Sequence, residues 1–147
     1  MSKELLLNKA IKIAEKGHRK QVDKYGAPYI KHVMRVMEYG KTLDEKIVGV
    51  LHDLIEDCPD YSYEFLRKQG FSEAQIFAIE CLTKNPTDED YDEFIKRTEK
   101  SPLAIAVKLN DLRDNMDLRR INRPLTEKDL KRLNKYLKAY QYLIEKY

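Results

Sequence analysis

The chain has 147 residues, of which 28 are Lys or Arg and 25 are Asp or Glu, so its formal net charge is +3. This small surplus argues against a nucleic-acid-binding protein, because such proteins concentrate a strong excess of positive charge on one face. Hydrophobic residues make up 42% of the chain, and charges of both signs are interspersed, which argues against disorder. The length predicts a single domain over residues 1–147.

The sequence shows no targeting or membrane-spanning segment. Its N-terminal residues mix charged side chains with leucines, and no apolar stretch approaches the roughly 20 residues of a spanning helix. Cys58 and Cys81 lie far apart, without the spacing of a zinc or redox motif. We therefore expect a cytoplasmic protein with reduced thiols and with neither a membrane nor a nucleic acid as partner. Self-association into a homo-oligomer stays open.

In the first third of the chain, apolar residues recur at three- and four-residue steps, which predicts helices with one buried face. The first helix, from Lys3 to Lys16, is followed by a loop over residues 18–29, and a second helix starts at Ile30. A third helix, which Thr42 or Asp44 can cap, is apolar on more than one face. We expect this third helix to lie at the centre of the core.

The rest of the chain also has the spacing and the capping residues of helices. The predicted elements are a short helix near residues 63–69, a helix capped by Ser72, a helix over residues 91–100, a helix opened by Ser101-Pro102 and a last helix started by Thr126. The last helix carries a stripe formed by Leu130, Leu133, Leu137, Tyr140 and Ile144. Because no segment alternates with a period of two, we expect an all-α fold, a compact bundle of about seven helices.

One segment breaks the apolar pattern of the third helix. Four ionisable residues, His52, Asp53, Glu56 and Asp57, stand within its most apolar part. Burying unpaired charges costs several kcal/mol, so such a cluster needs compensating partners or a metal ion. Adjacent His and Asp side chains can ligate one divalent ion, and acids one turn further on can deprotonate its water. For this dipeptide alone, an acid-rich helix end without chemistry remains an alternative.

Two distant residues complete a set of ligands. His32 lies at the start of the second helix, and Asp111 lies in a later helix with Asn115 one turn beyond it on the same face. An ion bound by His32, His52, Asp53 and Asp111 would have two imidazole and two carboxylate ligands. This mixed set suits Mn²⁺, Fe²⁺ or Zn²⁺ better than Mg²⁺, which prefers oxygen ligands.

Four short motifs with these residues follow one another from His18 to Asn115. They are His18-x-x-Gln21, Gly26-x-Pro28-Tyr29-Ile30-x-His32, His52-Asp53-x-x-Glu56-Asp57 and Lys108-Leu109-x-Asp111. Their order and spacing resemble the HD superfamily of metal-dependent phosphohydrolases. They are most similar to the hydrolase domain of RelA/SpoT-type (p)ppGpp enzymes and to stand-alone small alarmone hydrolases.

This resemblance implies an HD-type helical bundle that removes the 3′-pyrophosphate from the alarmones guanosine tetra- and pentaphosphate with the help of Mn²⁺. It implies that His32, His52, Asp53 and Asp111 are the metal ligands. Glu56 and Asp57 would position and activate the attacking water. Lys24 and Asn115 would contact the nucleotide.

The chain departs from the alarmone-hydrolase pattern at two positions. Asp23-Lys24 stands where the family usually has Arg-Lys, whose Arg packs on the guanine base, and Leu118 stands where a polar residue is usual. The exact substrate therefore stays open. A phosphatase for other nucleotides or for NADPH-like 2′-phosphates could use the same metal centre. A non-catalytic nucleotide sensor of the HD type is the alternative from a different class.

Overall fold

In the computed structural model, which describes residues 1–147, every regular element is helical, apart from an isolated bridge between Val22 and Pro28. The α-helices are α1 (Lys3–Gly17), α2 (Ile30–Tyr39), α3 (Leu43–Leu51), α4 (Leu54–Asp57), α5 (Tyr63–Lys68), α6 (Glu73–Cys81), α7 (Tyr91–Thr98), α8 (Pro102–Asn115) and α9 (Glu127–Lys146). A short 3-10 turn, Leu118–Arg120, precedes α9. The predicted all-α class is confirmed, and the arrangement is consistent with an HD-like bundle.

The structure contains nine α-helices instead of about seven, and one of the extra helices comes from a break in the third predicted helix. The chain leaves helical hydrogen bonding at His52 and Asp53, between α3 and α4. The Nδ1 atom of His52 lies 2.6 Å from the carbonyl oxygen of Gly49. In a continuous helix that oxygen would accept the N–H of Asp53, so the imidazole takes the place of a backbone donor.

Helix α3 lies at the centre of the core, as predicted. Every residue from Ile47 to Leu51 is buried, and α3 packs against α1, α2, α6 and α8. Gly49 allows α2 to come close, because a Cβ atom at this position would lie 3.3 Å from the backbone of Met37. This close packing holds α2, which carries His32, beside the segment that carries His52.

Helix α9 packs through only part of its apolar surface. Leu143 and Ala139 are buried against Leu112 of α8 and Ile95 of α7. The stripe predicted from the sequence is only partly covered, since Leu130, Leu137 and Ile144 are 49%, 45% and 50% exposed. None of the nine helices is both long enough and apolar enough to cross a membrane.

Candidate metal centre

Four side chains from three parts of the chain converge at one point. His32 comes from α2, His52 and Asp53 from the break between α3 and α4, and Asp111 from α8. Each offers one possible ligand atom, and these atoms all lie within 4.8 Å of one another. His32, His52 and Asp111 are buried, and Asp53 is half-buried. The structure thus brings together the four residues that the sequence had singled out as metal ligands.

Both imidazoles are held in the orientation that a ligand needs. The Nδ1 atom of His52 faces the carbonyl oxygen of Gly49, and the Nδ1 atom of His32 lies 2.6 Å from a carboxylate oxygen of Asp114. A carbonyl only accepts hydrogen bonds, so Nδ1 of His52 carries the proton, and a neutral ring then has its lone pair on Nε2. The Nε2 atoms of both rings face Asp111 Oδ1, at 3.1 Å and 3.2 Å.

The two carboxylates are also fixed by neighbours. The hydroxyl of Tyr29 donates to Asp53 Oδ2 at 2.6 Å. Asp111 accepts a hydrogen bond from the ammonium group of the buried Lys108 at 3.1 Å and another from the Asn115 amide at 3.1 Å. These donors hold both carboxylates in place before any ion is bound, which is how outer-shell contacts orient metal ligands.

The electrostatics of the cluster favour a cation at its centre. Burial by itself would lower the pKa of His52, but the carboxylates of Asp53 and Asp111 outweigh burial and raise that pKa well above its usual value. Burial would likewise raise the pKa of Asp111, yet Lys108 and His52 hold it well below its usual range. In the absence of an ion, protonated imidazoles therefore compensate the buried carboxylates.

The donor set fits a divalent ion. An ion in place of the two imidazole protons would meet two neutral nitrogen donors and two negative oxygen donors, a mixture suited to Mn²⁺, Fe²⁺ or Zn²⁺. The two carboxylates would balance the charge of the ion, and Lys108 would add one positive charge against the neighbouring acids Glu56 and Asp57.

The two predicted water-activating acids occupy different positions beside this cluster. Glu56 lines the cavity above the four residues, and its Oε1 accepts the backbone N–H of Lys84 at 2.8 Å. Asp57 is half-buried, and burial, together with the charges of Asp53 and Glu56, raises its pKa to about 7.

The His18-x-x-Gln21 motif supports this acidic segment from the loop before α2. Nδ1 of His18 lies 2.7 Å from Gln21 Oε1, and the Gln21 amide donates to the backbone oxygen of Asp57 at 2.9 Å. The His18 ring also packs 5.2 Å from the ring of Tyr29, which holds Asp53. The motif therefore has a positioning role in this structure.

A cavity of about 420 Å³ opens above the cluster. The two residues predicted to contact substrate, Lys24 and Asn115, both line it. Its other basic lining residues are Lys84, Lys108, Arg120, Arg132 and Lys135.

Several of these cations have no acidic partner. Lys24, Lys84 and Lys135 form no ion pair with a carboxylate, unlike Lys108, which is paired with Asp111. Burial, followed by the nearby charges of Arg132 and Lys135, lowers the pKa of Lys24, so these cations repel one another. An anionic ligand would relieve that repulsion.

Asp23, the residue that departs from the family pattern, is built into the loop. Its Oδ1 accepts the backbone N–H groups of Tyr25 and Ala27, at 2.9 Å and 3.0 Å. Its Oδ2 accepts a hydrogen bond at 3.2 Å from Arg120, which comes from the 3-10 turn before α9 and also lines the cavity. A guanidinium is therefore present in this corner, although it is supplied from a distant part of the chain.

Several residues that shape the site have only a weak signal in the sequence, or none. Asp114 lies three residues after Asp111, a helical spacing that could have indicated its role, and it binds Arg35 as well as His32. Arg120 has no such signal, because its partner Asp23 is 97 residues away. Lys108, which stands in the motif Lys108-Leu109-x-Asp111, is buried and paired with Asp111.

Comparison with known proteins supports the predicted resemblance. The chain is 31% identical over 121 residues to guanosine-3′,5′-bis(diphosphate) 3′-pyrophosphohydrolase of Aquifex aeolicus, a match that covers 75% of this chain and 17% of that protein. It is 30% identical over 135 residues to GTP pyrophosphokinase of Streptomyces coelicolor and, likewise, to that of Streptomyces antibioticus. Each of these two matches covers 83% of this chain and 16% of the relative.

The chain thus spans about one sixth of the length of the curated relatives that it matches. No protein-family profile matches it. The similarity to a protein named as a pyrophosphohydrolase and to two named as GTP pyrophosphokinases confirms the resemblance to RelA/SpoT-type enzymes. A hydrolase among these relatives suggests an enzyme.

Proposed function

We propose that this chain is a metal-dependent phosphohydrolase of the HD type and that its substrate is (p)ppGpp, from which it removes the 3′-pyrophosphate. One observation carries this proposal: two imidazoles and two carboxylates converge at the base of a cavity that is lined by basic side chains. A relative named as a (p)ppGpp 3′-pyrophosphohydrolase supports the choice of substrate.

The buried cluster is the proposed metal site. His32, His52, Asp53 and Asp111 would hold one divalent ion, with Mn²⁺ as the leading candidate. When bound, the ion would polarise a phosphoryl oxygen and lower the pKa of a water molecule.

Glu56 and Asp57 would position and activate the attacking water. Glu56 Oε1 accepts the N–H of Lys84, so Oε2 would be the oxygen that takes the proton of the water. Asp57, which follows Glu56 on the same helix, would help to position the water. The two acids lie on the short helix α4 directly after the ligand Asp53, which fixes their distance from the reacting centre.

The unpaired lysines would bind the phosphate groups of the substrate. Lys24, Lys84 and Lys135 line the cavity and form no ion pair with a carboxylate, so their charge is available to phosphate oxygens. Lys108 also lines the cavity, and its pairing with Asp111 adds positive charge beside the proposed metal site.

A hydrolysis assay tests this proposal. Purified protein, supplied with Mn²⁺, is incubated with guanosine tetraphosphate, GTP and NADPH, and the products are separated by ion-exchange chromatography. We expect release of pyrophosphate from guanosine tetraphosphate, loss of this activity after metal removal, and its loss in His52→Ala. Asp60→Asn, an exposed residue beside the site segment, is the control that should retain full activity.

Other outcomes of the same assay would contradict parts of the proposal. Turnover of NADPH or another nucleotide while guanosine tetraphosphate stays intact would overturn the substrate but keep the metal centre. Tight binding of guanosine tetraphosphate without any turnover in Mn²⁺ would indicate a nucleotide sensor.

A further inference from the structure

The guanidinium of Arg120 lies in the corner of the cavity beside Asp23, where protein atoms hold it on several sides. Arg120 donates to Asp23 Oδ2 at 3.2 Å, to the backbone oxygen of Asp114 at 3.0 Å and to Asn115 Oδ1 at 3.3 Å. Its Nη1 also lies 3.1 Å from a carboxylate oxygen of Asp114. These contacts set the plane of the guanidinium before any ligand enters.

One hydrogen-bond donor of this guanidinium remains unused. The Nε atom of Arg120 is buried and has no hydrogen-bond partner. Because this atom is buried and Nη1 and Nη2 are bound to protein oxygens, a ligand in the cavity would meet Arg120 through the face of its guanidinium. The only other such buried atoms of the protein are His18 Nε2 and the hydroxyl of Tyr91, and Tyr91 lines the same cavity.

The charge of Arg120 is already compensated, in contrast to that of the nearby lysines. Asp23 and Asp114 face its guanidinium, whereas Lys24, Lys84 and Lys135 have no carboxylate partner. Phosphate groups are therefore expected at the lysines. A compensated, planar guanidinium is better suited to the flat face of a heteroaromatic ring, and Val22 and Tyr25 line the same cavity as apolar neighbours.

We propose that Arg120 is a specificity-determining residue that binds the nucleobase of the substrate through the face of its guanidinium. This inference rests on the proposed nucleotide substrate. Asp23 acts here as a positioning residue, since it holds both the loop and the guanidinium. The acid at position 23 thus anchors an arginine that is 97 residues away in the sequence.

Binding measurements separate the base from the phosphates and do not depend on turnover. Calorimetric titrations of the Mn²⁺-loaded protein use guanosine as a probe without phosphate and inorganic pyrophosphate as a probe without base. In Arg120→Gln we expect guanosine affinity to fall by about tenfold, as for the loss of a desolvated cation–π contact. Pyrophosphate affinity should stay within about twofold of wild type.

Three further variants define the effect. Arg120→Lys keeps the charge but loses the planar fork, so it should weaken guanosine binding as much as Arg120→Gln does. Asp23→Asn, which keeps an oxygen for the loop N–H groups but loses the ion pair, should give a smaller loss. Arg119→Gln is the matched control, because this neighbouring arginine is 89% exposed and pairs with Asp117 outside the cavity; it should change neither affinity.

The outcomes distinguish this inference from a structural role and from the proposed function. Equal loss of pyrophosphate and guanosine affinity in Arg120→Gln would overturn it. It would also be overturned if the only change in this variant were weaker Mn²⁺ binding, transmitted through Asp114. Wild-type protein that binds no guanosine, or Arg120→Lys with full affinity, would also overturn it. If guanosine binding depends on Arg120 but no nucleotide is hydrolysed, the inference stands while the proposed function fails.

Discussion

Two buried carboxylates of this protein, Asp111 and Asp129, show how the choice of partner decides what an acid can do. Asp129, at the start of α9, is held by Arg123 and Arg132 and also accepts the backbone N–H of Thr126 in a capping box. Asp111 is held by His32, His52, Lys108 and Asn115. Both acids are almost completely buried.

The difference between the two clusters lies in whether the partner can lose its proton. A guanidinium stays charged at every accessible pH, so Asp129 is permanently paired and serves the helix start. An imidazole can give up its proton and become a metal ligand. His32 and His52 can therefore change from hydrogen-bond partners of Asp111 into ligands of a metal ion. Buried acids with histidine partners therefore indicate a possible metal site, and buried acids with arginine partners indicate structural pairing.

We expect the largest effect from substitutions of Glu56 and Asp57, the acids beside the metal cluster. Glu56→Gln and Asp57→Asn should each reduce kcat by about 10² to 10⁴-fold, the usual contribution of a general base. Mn²⁺ affinity should change little, because neither residue is among the four converging ligands. Steady-state kinetics with a parallel metal titration measure both quantities. Loss of Mn²⁺ binding together with activity would assign these acids to the metal site instead.

An intermediate effect is expected from Asp114, which orients a ligand without being one. Its carboxylate accepts the hydrogen bond from Nδ1 of His32. Asp114→Asn should weaken Mn²⁺ binding by about 10- to 100-fold, as other changes to the partners of metal-binding histidines do. Asp129→Asn, in a buried acid held by arginines, serves as the control and should leave Mn²⁺ affinity unchanged. Equal effects of the two variants on Mn²⁺ affinity would show that acids held by histidine and acids held by arginine do not differ in this respect.

A smaller effect concerns the stability of the metal-free protein. The pKa of Asp57 is raised by burial and by neighbouring acids to about 7 from an ordinary value of 3.8, so its charged form is disfavoured in the folded state. Folding stability is therefore lost as pH rises from about 4 through about 7. Asp57→Asn should stabilise the metal-free protein at pH 8 by on the order of 1 kcal/mol after allowance for solvent screening, and by almost nothing at pH 4. Urea unfolding at both pH values tests this, and a destabilised variant at pH 8 would contradict it.

The smallest effect is expected at the arginine-held acid itself. The hydrogen bonds from Arg123 and from the backbone of Thr126 hold the pKa of Asp129 far below its usual range. Asp129→Asn should lower the thermal unfolding midpoint by a few degrees at neutral pH, because an amide accepts these hydrogen bonds less strongly. Mn²⁺ affinity should not change. Weaker Mn²⁺ binding without a change in the unfolding midpoint would be inconsistent with a purely structural role.

The helices could be predicted because their signals are local, and the four possible ligands because short motifs in a recognisable order carry them. Ser72, Ser101 and Thr126 cap the helices that the sequence indicated, and the apolar character of α3 agrees with its central position. The break at His52 was not predictable from spacing, because it depends on a side chain that replaces a backbone donor.

The contacts that complete the site depend on long-range packing. Asp114 meets His32 across 82 residues, and Arg120 meets Asp23 across 97. No periodicity within a helix connects such pairs, so only the folded arrangement of α2, α8 and the turn before α9 shows them. For the same reason, the substitution at Asp23 could be noticed in the sequence but not explained there.

The central claim is that His32, His52, Asp53 and Asp111 bind one divalent ion. Calorimetric titration of metal-free protein with Mn²⁺ tests it most directly, with His52→Ala and Asp129→Asn measured in parallel. We predict one ion per chain in wild type and in Asp129→Asn, with proton release as the imidazoles deprotonate, and no measurable binding at this site in His52→Ala. Wild-type affinity and stoichiometry in His52→Ala would contradict the claim.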